Sequence, residues 1–213
     1  AQILVIDGRG LWEARGAAGL EGATAALVQV ARRGDLRIVA LSSARTRTLS
    51  AEILSDSPAL VALREMERAL LEADLPLTLL CPGPLLGPGA WGAAVERMAR
   101  PASGPVAPKC RFSFVDVRDV EGAMVSALFR PPAGRLELGA PPVSLRAFDR
   151  RCAAWPLAPV PPAASDEPAL GLGDEIIDAG AASAALGFWT RPRARTLRET
   201  AQWLGRGVDG SGS

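Results

Sequence analysis

Chemistry in this chain has to be done without an imidazole or a phenol: its 213 residues include no histidine and no tyrosine, and Lys109 is the only lysine. Those absences remove Ser-His-Asp and Cys-His nucleophile activation, imidazole metal ligation and any proton transfer through a tyrosine hydroxyl. The groups that remain sit where short apolar runs end. Asp7 follows Ile3 to Ile6, with Trp12 and Glu13 just beyond it; Ser42-Ser43-Ala44-Arg45 follows Arg37 to Leu41; Cys81-Pro82-Gly83 follows Leu77 to Leu80. Asp7 or Glu13 has the chemistry of a general acid or base, and Ser43 or Arg45 could position a substrate oxygen, the parts of a cofactor-independent lyase, isomerase or cyclase. Taken singly, each has a plainer expectation: Ser43 bonds backbone, Asp7 caps the following turn and Arg45 is solvated. Cys81 has no histidine to activate it, so the expectation is a buried, inert thiol.

A strand-end site needs strands. Ile3 to Ile6, Arg37 to Leu41 and Leu77 to Cys81 are strand-like apolar runs, and Arg135 to Leu138 is expected as a fourth core strand. Between them, Gly22 to Arg33 carries a helical stripe closed by Gly34, and Pro58 to Ala73 repeats the period through Leu60, Leu63, Met66 and Leu70. Strand, helix, strand, helix, strand predicts a parallel α/β sheet with right-handed crossovers. Pro82 to Pro108, rich in Gly and Pro, predicts a binding-loop region with Trp91 over the strand ends and one helix at Ala90 to Ala99. Asp119 is the expected cap of a helix from Val120 to Phe129, Ser144 of a helix to Ala154, and Thr196 to Leu204 closes the chain as a helix. Pro156 to Pro168 predicts a connector.

The stretch Leu75 to Gly89, reading LPLTLLCPGPLLGPG, resembles the "LPVTILRPGNVYGPG" segment of extended short-chain dehydrogenases and NAD-dependent epimerase/dehydratases. Leu20 to Ala23, Arg37 to Ser43, Phe112 to Val120 and the closing Ala185 to Leu204 resemble further family segments in the same order. The resemblance implies a partial, Rossmann-like parallel sheet of about four core strands with a small C-terminal region like a substrate domain. Its expected divisions are 1–81, 82–134, 135–206 and a tail at 207–213.

The departures decide what the resemblance implies for function. The chain begins at what would be the family's fourth strand, so the glycine-rich turn that cradles a dinucleotide pyrophosphate has no counterpart; Asp7-Gly8-Arg9-Gly10 lacks a third glycine in register. Aligning Ser57 to Arg64 with the family's catalytic Tyr-x-x-x-Lys segment puts Ala59 at the tyrosine and Leu63 at the lysine, while Glu67 matches the glutamate that ends the motif. Cys81 stands where relatives usually carry arginine. The expectation is a degenerate member with no NAD(P) and no redox activity, acting as a small-molecule-binding or scaffold subunit, with the substrate-pocket residues Trp12, Arg45, Cys81, Pro82, Gly83 and Trp91. Alternatives are the cofactor-independent enzyme above, or a subunit completed by another chain.

Composition narrows the partners. With 24 basic and 23 acidic residues the net charge is +1, so no long-range field favours nucleic acid or an anionic membrane. The longest apolar runs fall well short of the roughly 20 residues of a membrane span, and the expected location is cytoplasmic. Cys81, Cys110 and Cys152 are dispersed, which argues against a disulfide framework or a zinc site; Asp116 and Asp119 read as capping and ion pairing, not metal ligands. The uniformly apolar strand at Ile3 to Ile6 lacks the features that protect a sheet edge, and predicts association through that edge or through the helices 22–33 and 58–73, as a homo-oligomer or heteromer.

Overall fold

The computed structural model describes residues 3–90, 92–99, 110–155 and 168–206, and in the first helix the side chains of residues 9–15 fall outside the described ones. In chain order the elements are β1 (Ile3–Asp7), α1 (Gly8–Gly34), β2 (Arg37–Leu41), α2 (Arg45–Thr48), α3 (Ala51–Ser55), α4 (Pro58–Glu72), β3 (Leu77–Pro82), β4 (Leu85–Leu86), α5 (Ala93–Ala99), β5 (Arg111–Phe112), β6 (Val115–Asp116), α6 (Val117–Phe129), β7 (Gly134–Leu138), β8 (Val143–Ser144), α7 (Leu145–Cys152), α8 (Gly180–Leu186) and α9 (Arg193–Arg206). β1, β2, β3 and β7 form one all-parallel sheet in that order, with Val5 opposite Val39, Val39 opposite Thr78 and Leu80 opposite Leu136. The expected α/β class and four-strand parallel core are what the fold contains.

Alternation along the strands divides the core into two layers. Ile6, Ile38, Ala40, Leu77, Leu79 and Cys81 pack under α1 and α4. Val39, Leu80, Leu136 and Leu138 face the other way, onto Val120, Ala123 and Ala127 of α6 and Ala182 of α8. Leu60, Leu63, Met66 and Leu70 recur at helical spacing and are all buried, so α4 presents one continuous apolar stripe to the sheet. Each such side chain contributes about 1.5–3 kcal/mol by leaving water. Ser57 accepts the Leu60 N–H, and Pro58 occupies the first turn, where its missing N–H costs nothing. A third cluster gathers α5, α7 and α9 around Phe112, Phe114 and Phe148; Phe148 meets Phe112 edge to face at 5.1 Å.

Several element boundaries differ from the sequence expectation, among them the starts of α5 at Ala93 and α9 at Arg193. α1 starts at Gly8, not near Gly22, because two helical segments join across Gly16, whose φ of 66° a Cβ would oppose. Its C-terminal left-handed residue is Asp35 (φ 49°), one beyond Gly34, and the Leu36 N–H closes back onto the Ala31 carbonyl. α6 is capped by Asp116, not Asp119: the Asp116 carboxylate accepts the Arg118 N–H at 3.0 Å. The Ser144 cap of α7 matches its expectation, accepting from Ala147. The connector at 156–167 and the tail at 207–213 lie outside the described residues. No helix among the described residues is long and apolar enough to cross a membrane.

Candidate functional site

The carboxyl ends of β2 and β3 are held in register beyond the strands themselves. The Ser42 and Ala44 N–H groups donate to the Leu80 and Pro82 carbonyls, at 2.9 and 2.8 Å, so the backbone through Ala44 is fixed against β3. Ser42 Oγ donates to Glu67 Oε1 at 2.6 Å, and Thr46 Oγ1 lies 2.9 Å from the same oxygen. The other Glu67 oxygen pairs with Arg135 Nη1, which reaches over from β7, and Arg135 Nη2 approaches the Ser43 carbonyl at 3.4 Å. Glu67, on α4 and only 4% exposed, thus gathers β2, α2 and β7 beneath the strand ends. Its alignment gave no hint of Arg135, 68 positions away.

Ser43 Oγ accepts the Arg45 N–H at 3.2 Å, and the residue is half-buried. Asp7 is exposed at the end of β1, in register with Leu41. Arg45 is not solvated. It is 1% exposed, and its Nε and Nη2 donate to the two oxygens of Glu175, at 2.7 and 3.1 Å, while its remaining donors reach the Pro168 and Ala169 carbonyls. Glu175 is equally buried and carries its own backbone bonds to Arg111 and Ser113, so Arg45 fastens the segment 168–177 across the strand ends. Glu175 was invisible to sequence reasoning because nothing local marks it.

Cys81, Pro82 and Gly83 are likewise buried. Cys81 is fully buried, and burial pushes its thiol pKa well up, against a smaller opposing pull from Arg135. A Cβ on Gly83 would stand 2.4 Å from Ile177 Cδ1 and 2.7 Å from the Ser113 carbonyl, so glycine is there for close packing. Trp91 and the side chains of Trp12 and Glu13 lie outside the described residues. Asp116, expected to pair locally, does so with Arg118 and also accepts from Thr196, while Asp119 binds Arg191 at 2.7 Å. No cluster of three metal-ligating side chains occurs among the described residues.

Two positions carry most of the chemical meaning. Ala59 and Leu63, aligned with the family's tyrosine and lysine, are 8% and 4% exposed on the buried face of α4. At the β1–α1 turn, a Cβ on Gly8 would meet Met66 Cε at 2.7 Å and Leu63 Cδ2 at 2.9 Å. Side chains of α4 thus close over the glycine of this turn, which is packing between the β1–α1 junction and α4.

No family model and no curated protein sequence matches the chain. Among solved structures it is similar to UDP-glucuronic acid 4-epimerase from Bacillus cereus, in complex with NAD (13% identity, TM-score 0.61, 86% of this chain and 66% of that one). It is similar also to WbmF from Bordetella bronchiseptica, in complex with NADH (14%, 0.63, 87% and 64%). PbgP3 from Burkholderia pseudomallei aligns over 98% of this chain and 78% of its own, at 13% identity and a TM-score of 0.67. The chain spans less than two thirds of the length of the first two. It shares the fold of these solved structures, in the form of a four-stranded, partial Rossmann-like parallel sheet.

Proposed function

We propose that this chain is a short-chain-dehydrogenase-like protein that carries out no nicotinamide redox chemistry and acts as a small-molecule-binding or scaffold subunit. The observation that carries the reading is hydrocarbon at Ala59 and Leu63, buried on α4, with Leu63 and Met66 closed over Gly8. A methyl and an isobutyl group exchange no proton at any pH. Thermal unfolding with NAD and NADP tests it. A cofactor present at 100 times its dissociation constant adds about 2.7 kcal/mol, or roughly 5–10 °C for a chain of this size. The reading requires no shift with either nucleotide, and a shift of that size would overturn it.

As a subunit, the chain associates through surfaces its own fold leaves open. β1 is paired on one side only among the described residues, and Val5 is 46% exposed in it, an apolar edge of the kind that accepts another strand. Between α1 and α4 runs a groove of about 790 Å³, with Leu20, Val28, Val61 and Met66 in its walls, which suits the same helices of a second copy. Light scattering on the purified chain should give a dimer or larger assembly, and a stable monomer at high concentration would defeat this part of the reading.

A further inference from the structure

A second cavity lies away from the strand ends. It is a cleft of about 190 Å³ between α7 and the start of α9, and its lining includes no residue of the four-stranded sheet, α1 or α4. Its floor is the aromatic cluster, with Phe114 and Phe148 almost fully buried. Ala147, Val143 and Leu197 complete the apolar wall. A hydrocarbon-lined cavity of about 150 Å³ is large enough for benzene, so this cleft has room for one ring and a small substituent.

The mouth is cationic. Arg151 stands one turn beyond Ala147 and Phe148 on the face of α7 that lines the cleft, and Arg193 opens α9 one turn before Leu197. Arg193 donates to the Pro141 carbonyl at 3.5 Å, which leaves most of its guanidinium donors facing the cleft or solvent. α7 and α9 together hold seven arginines and two acids in a chain of net charge +1, and both acids are already engaged. Asp149 binds Arg97 through both oxygens, at 2.9 and 2.6 Å, and Glu199 binds Arg195 and Arg118. Ser144 Oγ at the rim adds a hydroxyl.

We infer that this cleft is a binding site for a small carboxylic acid with a ring-sized apolar body, the ring against Val143 and Ala147 above the buried phenylalanines and the carboxylate between Arg151 and Arg193. The apolar floor excludes free inorganic anions as the preferred occupant, and the two planar guanidinium groups match a carboxylate. The site is independent of the function proposed above: either can fail alone.

Benzoate is the probe, titrated by calorimetry and by chemical shift against the whole chain. A ligand of this size in a partly open cleft binds with a dissociation constant of about 0.1–5 mM. Arg151→Ala with Arg193→Ala should weaken it about 5–20-fold, since exposed ion pairs are individually modest. Benzamide, neutral and of the same shape, should bind more weakly than benzoate to the wild type and equally to the double variant. Ala147→Phe should fill the cleft and remove binding. The arginine pair is at the surface, so its substitution decides the matter even if Ala147→Phe disturbs folding. Absence of saturable binding, or benzoate affinity unchanged in the arginine double variant, would overturn the inference.

Discussion

Arg45→Ala should be among the most damaging single substitutions in the chain. The guanidinium and the Glu175 carboxylate are each 1% exposed and joined by two hydrogen bonds, and two further donors satisfy the Pro168 and Ala169 carbonyls. Removing the arginine leaves a buried carboxylate without its cation and two carbonyls without donors. Breaking one side of such a pair costs about 3–5 kcal/mol, a large part of the 5–15 kcal/mol typical of a folded domain. At about 2–4 °C per kcal/mol for this length, the melting temperature should fall by roughly 6–20 °C. Urea denaturation followed by far-UV circular dichroism measures it. Replacing both partners, as Arg45→Met with Glu175→Leu, removes the uncompensated charge, and should recover at least half of the loss. A single substitution costing under about 1 kcal/mol would refute the reasoning, because it would mean that both groups are solvated in the working protein.

Three further expectations follow from named contacts. Burial pushes the Asp116 carboxyl up, but hydrogen bonds from the Arg118 side chain and backbone and from Thr196 outweigh it and hold the pKa below the usual carboxylate range. A depressed folded-state pKa gives stability that is present above the unfolded value near 3.9 and is lost as pH falls through the folded one; unfolding free energy should therefore drop below about pH 4, and Asp116→Asn should flatten that drop while lowering stability at pH 7. Burial pushes the Cys152 thiol up to about 12 and Cys81 higher still, so in native protein at pH 8 a thiol reagent such as dithionitrobenzoate should label Cys110 at most, with all three labelled in denaturant. The same raised values mean stability that is complete below the unfolded thiol pKa near 8.5 and declines as pH rises above it. Gly83→Ala should cost about 2–3 kcal/mol by denaturation, because one of the atoms its methyl would strike is the Ser113 carbonyl of the backbone, which has no rotamer to change.

What the sequence made legible was whatever depends on local pattern. Three of the four core strands, β1 to β3, were readable because each contains a short apolar run, and α4 because Leu60, Leu63, Met66 and Leu70 repeat at its period. Gly16 hid the first half of α1, since a glycine that permits a sharp reversal reads as an interruption when it joins two helical segments. The cap of α6 was misplaced by one turn because Asp116 and Asp119 are both suitable cap residues, and only the Arg118 N–H distinguishes them. The site was less legible than the sheet. Ser42, Ser43 and Arg45 could be placed at a strand end, but the groups that occupy them come from far along the chain: Glu67 and Arg135 for the serines, Glu175 for the arginine. A buried ion pair between positions 45 and 175 leaves no trace in spacing or composition, and it turns an apparent ligand-binding side chain into a structural tie.

The most direct test of the account is hydride transfer itself. Purified chain, incubated with deuterium-labelled NADH or NADPH and with UDP-glucuronic acid or other nucleotide sugars, should leave the label on the nicotinamide and the sugars unchanged, at the rate seen without protein. Label exchange or sugar turnover that scales with protein concentration and is altered by substitution at Ser43 or Leu63 would contradict the claim that this polypeptide has no acid-base couple for the reaction.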